Sequence, residues 1–280
     1  MKQNYTHIEV ILDQSGSMLG RKNDVIGSFN AFIKDQQQLS GDCTVSLTLF
    51  SDQYYPIYSM KPLKDVPELT HTNYRPGGNT ALLYTMIKVI DGLGLQLGNL
   101  PEDQRPDRVV VVTITDGEEN HSCVHEPRLM TLNDTTHVQK YPQVFHQGVL
   151  MSGGLTNQLQ VIQPQLHQPS TLALNPVPLY DSAALLSRIK EQSETYSWTF
   201  VYLGANHDAF TAGSTMGYSM SNTLNYAASP KGFKDAFAST SSNLRDVRTI
   251  SRDAYVTSKS KAFFVDADQD VQNANLAATT

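Results

Sequence analysis

Eight residues, "RVVVVTIT" from 108 to 115, constrain the fold more than any other stretch of the chain. Nearly every position is β-branched, and no polar face alternates with the apolar one. A strand of this kind must be covered on both sides, which is the situation inside a parallel sheet flanked by helices. The neighbouring segments supply such a sheet. "HIEVIL" (7 to 12) is β-rich, and Val25, Ile26, Phe29, Phe32 and Ile33 recur at helical spacing after Asp24. "CTVSLTLF" (43 to 50) alternates through Val45, Leu47 and Leu49, and a short strand from Tyr54 to Tyr58 can return as a hairpin. A helix follows with Leu82, Leu83, Met86, Ile87 and Ile90 on one face. The alternation resumes at 181, where Asp181 is placed to cap a helix carrying Leu185, Leu186 and Ile189. "WTFVYLG" (198 to 204) reads as a buried strand and "HDAFTAGSTMG" as a short helix. Ser229-Pro230 starts a further helix, with Pro at its first position and Phe233, Ala236 and Phe237 at helical spacing. The fold class is α/β: a three-layer, doubly wound, mostly parallel sheet with helices on both faces, Rossmann-like in its winding.

Residues 121 to 180 break this rhythm. They hold six prolines and eight glutamines but only four charged residues. Sixty residues without periodicity are too many for an ordinary connection between a strand and a helix. The alternation continues afterwards, so the segment reads as an insertion into one domain spanning 1–262, with "YPQVFHQGVLM" and "NQLQVIQ" as possible short strands inside it. The remainder, 263–280, reads as a polar, alanine-rich tail that frays or extends.

Composition narrows the function classes. Of the 280 residues 40% are hydrophobic and 17% charged, which suits a globular domain with a real core. A net charge of −6 without basic blocks carries no footprint for nucleic acid. No stretch approaches the roughly 18 apolar residues of a membrane span. Two cysteines, Cys43 and Cys123, make no disulfide framework. With no signal-peptide pattern at the start, a cytoplasmic location is expected.

The chemistry lies in three loops. "DQSGS" places Asp13, Ser15 and Ser17 directly after the first strand, "PGGNT" brings Thr80 to the start of a helix, and Asp116 follows the strand 108 to 115. Ligands of open α/β sheets collect at the carboxyl ends of the strands, so segments about 100 residues apart can converge there. The side chains offer only oxygen: two carboxylates and three hydroxyls, the donor set of a small hard cation such as Mg²⁺. Gly16 lets the two serines point the same way on a tight turn.

In these residues the chain resembles the von Willebrand factor type A family, whose metal-ion-dependent adhesion site is written D-x-S-x-S, then Thr, then Asp. The resemblance covers roughly 5 to 120 and 181 to 245, including "WTFVYLGANHDAF", which is similar to the last strand and following helix of bacterial members. It implies that Ser15, Ser17 and Thr80 bind Mg²⁺ or Mn²⁺ through their hydroxyls, and that Asp13 and Asp116 bind directly or through water. It further implies a non-enzymatic, protein-binding module in which a protein partner's Asp or Glu carboxylate completes the metal shell.

Other readings compete. An assembly scaffold could use the 121–180 insertion for its contacts and keep a structural or vacant metal site. A Mg²⁺-dependent phosphatase could also place an Asp after its first strand, but it needs a second acid two residues on, and Ser15 stands there. No G-x-S-x-G elbow supports a serine hydrolase. His121, Cys123 and His125 alternate but lack the usual ligand number and spacing of a zinc site, and His137, His146, His167 and His207 read as ordinary loop residues.

Overall fold

The computed structural model describes residues 1–122, 180–205, 208–257 and 262–277. Six strands form one sheet: β1 (Lys2–Asp13), β2 (Asp42–Phe50), β3 (Tyr54–Pro62), β4 (Pro106–Thr115), β5 (Thr199–Gly204) and β6 (Thr223–Asn225). Their order across the sheet is β3-β2-β1-β4-β5-β6, and every neighbouring pair is parallel except the β2–β3 hairpin. The expected three-layer, doubly wound architecture is therefore present. The helices are α1 (Lys22–Gln37), α2 (Leu82–Gly98), α3 (Ser182–Tyr196), α4 (Ala209–Met216), α5 (Pro230–Thr249), α6 (Arg252–Thr257) and α7 (Asp266–Ala277).

Strand alternation divides the core in two. Ile8, Val10 and Leu12 of β1 join Val110, Val112 and Ile114 of β4 beneath Phe29 and Phe32 of α1 and Phe233 and Phe237 of α5. Ile11, Val109 and Val111 point to the other face, beneath Leu83, Met86 and Ile90 of α2 and Leu185 and Ile189 of α3. All ten residues of β4 are buried, as the unbroken valine run required. Two predicted caps are in place: Asp181 accepts from the Ala184 amide at 2.7 Å, and Ser229 from the Gly232 amide at 3.1 Å.

The winding reverses between β1 and β4, because β1 continues to β2 on one side while the chain later enters β4 on the other. A crevice opens at such a switch point beyond the strands' carboxyl ends. In register, Leu12 lies beside Ile114, so Asp13 and Thr115 end their strands together at that crevice.

Two expectations need correcting. "WTFVYLG" is the fifth strand of six, since β6 pairs beside it; three residues are too few to show a period. The segment expected to fray forms α7, held by polar contacts that periodicity cannot reveal. Asn275 donates to Asp235 Oδ2 at 2.9 Å and accepts from Lys231 Nζ at 2.7 Å, while Asn243 donates to Asp268 at 3.0 Å. Ahead of it, Phe263 and Phe264 are buried edge-to-face in the core beside β6. The strands read inside 121–180 lie outside the described residues. Among the described residues no helix is long and apolar enough to cross a membrane. Phe264→Ala is expected to lower the unfolding free energy by about 3 kcal/mol in urea denaturation; a loss below about 0.5 kcal/mol would mean that this segment does not belong to the core.

Candidate functional site

All five predicted residues come to the β1–β4 crevice. Asp13 closes β1 with no exposed surface. Its Oδ1 accepts from the Ser15 amide at 2.6 Å and its Oδ2 from the Thr115 hydroxyl at 2.6 Å. The chain then turns through a 3₁₀ segment, Gly16–Arg21, which carries Ser17 back over the strand ends. Ser15 and Ser17 hydroxyls lie 3.0 Å apart, and Ser17 donates to Asp116 Oδ1 at 2.5 Å. Asp116 is buried, whereas Ser17 is exposed, so the cluster opens to solvent on the Ser17 side.

Thr80 arrives on the loop before α2. Gly16 donates to the Gly78 carbonyl at 2.9 Å, and Gly77 to the Gln14 carbonyl at 2.8 Å, tying that loop to the Asp13 turn. Gly78 is needed there: its φ is +83°, and a Cβ would stand 2.2 Å from Asp52 Oδ2. Asp52 in turn accepts from the Asn79 amide at 3.0 Å and from its side chain at 2.8 Å. Thr80 does not cap α2; Ala81 occupies the cap position and supplies no side-chain bond. The Thr80 hydroxyl is thus left available, with no hydrogen-bond partner among the described residues. A Cβ placed on Gly117 would stand 3.4 Å from Thr80 Oγ1 and 3.7 Å from Ser17 Oγ, so glycine preserves a small oxygen-lined gap between the three loops.

The cap of α2 comes from elsewhere. Glu119, three residues beyond Asp116, accepts from the Leu83 amide at 2.8 Å and from the His121 and Ser122 amides at 2.7 and 2.6 Å. Ser122 Oγ accepts from the Tyr84 amide at 2.8 Å, and Asn120 accepts from the Thr80 amide at 2.8 Å. The Asp116 loop therefore satisfies orphan donors of the helix that follows Thr80, and a carboxylate at a helix N-terminus is favoured by the dipole. Two buried tyrosines hold the strand ends from below: Tyr74 donates to the Asp13 carbonyl at 2.7 Å, and Tyr226 to the Thr115 carbonyl at 3.0 Å. Burial, with both aspartates adding, pushes these phenols well above the ordinary tyrosine range, so they remain donors.

The site carries excess negative charge. Two buried carboxylates lie together here, and Arg21 pairs with one of them: its Nη1 donates to Asp116 Oδ2 at 2.6 Å and to the Ser17 carbonyl at 3.1 Å. Desolvation raises the Asp13 carboxyl from 3.8 to about 6, with Asp116 adding to the rise and the bonds from Thr115 and Ser15 opposing it. Such a cluster suits a hard cation: every side-chain donor is oxygen, the net charge with Arg21 is negative, and the Thr80–Ser17–Gly117 gap is kept open. Arg21, Glu119, Asn120, Ser122, Tyr74 and Tyr226 were not singled out from the sequence. Only Glu119 and Asn120 carried a local signal, as acid and amide directly after "TDG". Of the alternating zinc candidates, His121 lies with Nε2 3.5 Å from Asp52 Oδ1, while Cys123 and His125 fall outside the described residues, as do His137, His146, His167 and His207.

A scan against protein-family models finds no match, and a search of curated proteins finds none. Among solved structures, the D319A mutant of the PilB minor pilin from Streptococcus sanguinis is similar at 14% identity and TM-score 0.48, covering 92% of this chain and 64% of its own. The von Willebrand factor domain of the type V pili tip protein Mfa5 from Porphyromonas gingivalis is similar at 11% identity and TM-score 0.49, covering 89% of this chain and 98% of its own. Proximal thread matrix protein 1 from the mussel byssus, in a structure with a zinc-occupied MIDAS motif, is similar at 10% identity and TM-score 0.45, covering 86% of this chain and 46% of its own. The chain thus spans less than two thirds of the pilin and less than half of the byssus protein. Its own strand order, with one antiparallel edge hairpin and the loops gathered over β1 and β4, is that of a three-layer, doubly wound α/β fold.

The raised Asp13 carboxyl has a consequence for stability. Its folded pKa lies above the unfolded value, so folding favours its protonated form, and the ionised form is penalised as pH rises from about 4 to about 6. In EDTA-treated protein, wild type should lose on the order of 3 kcal/mol relative to Asp13→Asn between pH 4 and pH 7. Urea unfolding at several pH values measures this; a wild-type to Asp13→Asn difference independent of pH would contradict it.

Proposed function

We propose that this chain is a non-enzymatic recognition module that binds Mg²⁺ or Mn²⁺ through Asp13, Ser15, Ser17, Thr80 and Asp116 and, with it, a carboxylate of a protein partner. The observation that carries the reading is the convergence of five oxygen-bearing side chains from three loops on one crevice, with both acids buried and Ser17 open to solvent. When bound, a divalent cation would supply a coordination position that an outside carboxylate could fill.

The chain's own residues would do the rest. Ser15, Ser17 and Thr80 present neutral oxygens, which add affinity without adding negative charge. Asp13, held through both oxygens, orients the Ser15 amide and, through Thr115, the end of β4. Arg21 partly neutralises Asp116, so a divalent ion here would leave a net positive site, and an outside carboxylate would be attracted. The same geometry argues against a phosphatase. Asp13 has no exposed surface and both its oxygens accept hydrogen bonds, so it is poorly placed as a nucleophile.

A second reading, in which residues 121–180 select the partner, is favoured by one observation. The two flanks of the undescribed stretch meet the same residue near the crevice: Ser122 Oγ accepts from the Tyr84 amide, and the Tyr180 ring packs edge-on against Tyr84 at 4.8 Å. The two readings are compatible, since Tyr84 lies only four residues after Thr80.

Isothermal titration of Mg²⁺ and Mn²⁺ into EDTA-treated protein tests the reading. Wild type should show saturable one-site binding, Asp116→Ala should lose it, and Arg21→Ala should bind the ions about threefold or more tightly, because a competing positive charge is gone. No binding in wild type, or full binding in Asp116→Ala, would overturn the assignment.

A further inference from the structure

A second acidic residue of β1 is buried away from the strand ends. Glu9 stands four residues before Asp13, about 13 Å along the strand, and is only 4% exposed. Among the described residues its only hydrogen-bonding partner is His7, whose Nε2 lies 3.4 Å from Oε2. That nitrogen is shared with the Ser46 hydroxyl, also at 3.4 Å, while His7 Nδ1 meets Thr44 Oγ1 at 3.0 Å. Glu9 Oε1 therefore has no protein partner among the described residues. Oε1 keeps some solvent contact, yet burying most of a carboxyl against a single partner at 3.4 Å is costly.

Glu9 lines a cavity of about 220 Å³ between the β1–β2–β3 part of the sheet and α2. The sheet side is polar and aromatic: Ser46, Thr48, Tyr54 and Tyr58 line it beside the acid. The Tyr58 hydroxyl is buried without a hydrogen-bond partner. The helix side is apolar, with Val89 and Leu93. Lys88 also reaches the cavity, yet its ammonium sits over the rings of Tyr84 and Tyr180, 5.9 and 5.5 Å from their centroids, and makes no ion pair with Glu9. An acid, spare oxygen acceptors, two tyrosine rings and an apolar wall together match one chemistry. An ammonium head needs a counter-charge and acceptors and is attracted to aromatic faces, and its alkyl stem needs apolar contact.

We propose that this cavity binds a primary alkylammonium group, with the charge at Glu9 and Tyr58 and the methylenes against Val89 and Leu93. Such a group has two sources, a free small amine or a lysine side chain presented from outside. The site is separate from the strand-end crevice and does not depend on cation binding there.

Calorimetric titration of n-butylammonium chloride into the full chain, with n-butanol and KCl as controls, tests the proposal. The ammonium should bind saturably, n-butanol and K⁺ should not, and Glu9→Gln should weaken binding about tenfold or more. A second variant keeps the acid: a Cβ on Gly92, which lines the same cavity on α2, meets nothing within 4 Å. Gly92→Leu should therefore fold and abolish binding by filling the space. Replacing the amine with Nα-acetyl-lysine methylamide separates the sources: equal binding assigns the site to lysine side chains, and binding of butylammonium alone assigns it to free amines. Absence of saturable binding, unchanged affinity in folded Glu9→Gln, or equal binding of n-butanol or K⁺ would overturn the proposal. None of these outcomes touches the Mg²⁺ titration, so the two assignments stand or fall separately.

Discussion

The join between β1 and β4 is the constraint on which the site depends. From Tyr5 onward in β1, and throughout β4, the strands are buried on both faces; they run parallel and end in register at the point where the sheet's winding reverses. Parallel pairing there leaves the Asp13 carboxyl and the Thr115 hydroxyl side by side, and their 2.6 Å hydrogen bond ties the two strand ends together. Everything acidic or hydroxylic above the crevice is positioned relative to that bond. Tyr74 and Tyr226 reinforce it from the core by binding the carbonyls of Asp13 and Thr115. A strand slip of one residue would turn Asp13 to the opposite face and dismantle the cluster.

Placing two acids at a buried strand end is costly, and the loops around them divide the compensation. Asp13 is satisfied by hydrogen bonds alone, from a backbone amide and a hydroxyl. Asp116 takes a hydroxyl from Ser17 and the guanidinium of Arg21. Nearby, Glu119 spends its carboxylate on the N-terminus of α2, so a third acid at the same edge is structural and remains outside the cluster. The division accounts for two of the three acids of the "TDGEEN" loop: Asp116 faces the crevice, and Glu119 holds the N-terminus of the helix that follows Thr80.

Much of this was legible in the sequence. The valine run of β4, the alternation of β2 and the helical spacing of α1 and α2 each report burial directly, because burial sets their periods. The five crevice residues were legible because short oxygen-bearing side chains followed apolar strands at fixed spacing. Arg21, Tyr74 and Tyr226 were not, since each acts on a residue distant in sequence and carries no local pattern of its own. Thr80 stands where a hydroxyl before an apolar helical run usually caps the helix; the Glu119 carboxylate from another loop takes that role instead. Residues 263–277 looked like a tail because α7 docks through Asn, Asp and Lys contacts, which leave no apolar stripe to read.

Anomalous diffraction from crystals soaked in Mn²⁺ tests the central claim most directly. One strong peak is expected, enclosed by the Ser15, Ser17 and Thr80 hydroxyls, with Asp13 and Asp116 bound to it or bridged by water. A peak elsewhere, or none at the β1–β4 crevice at saturating Mn²⁺, would contradict it.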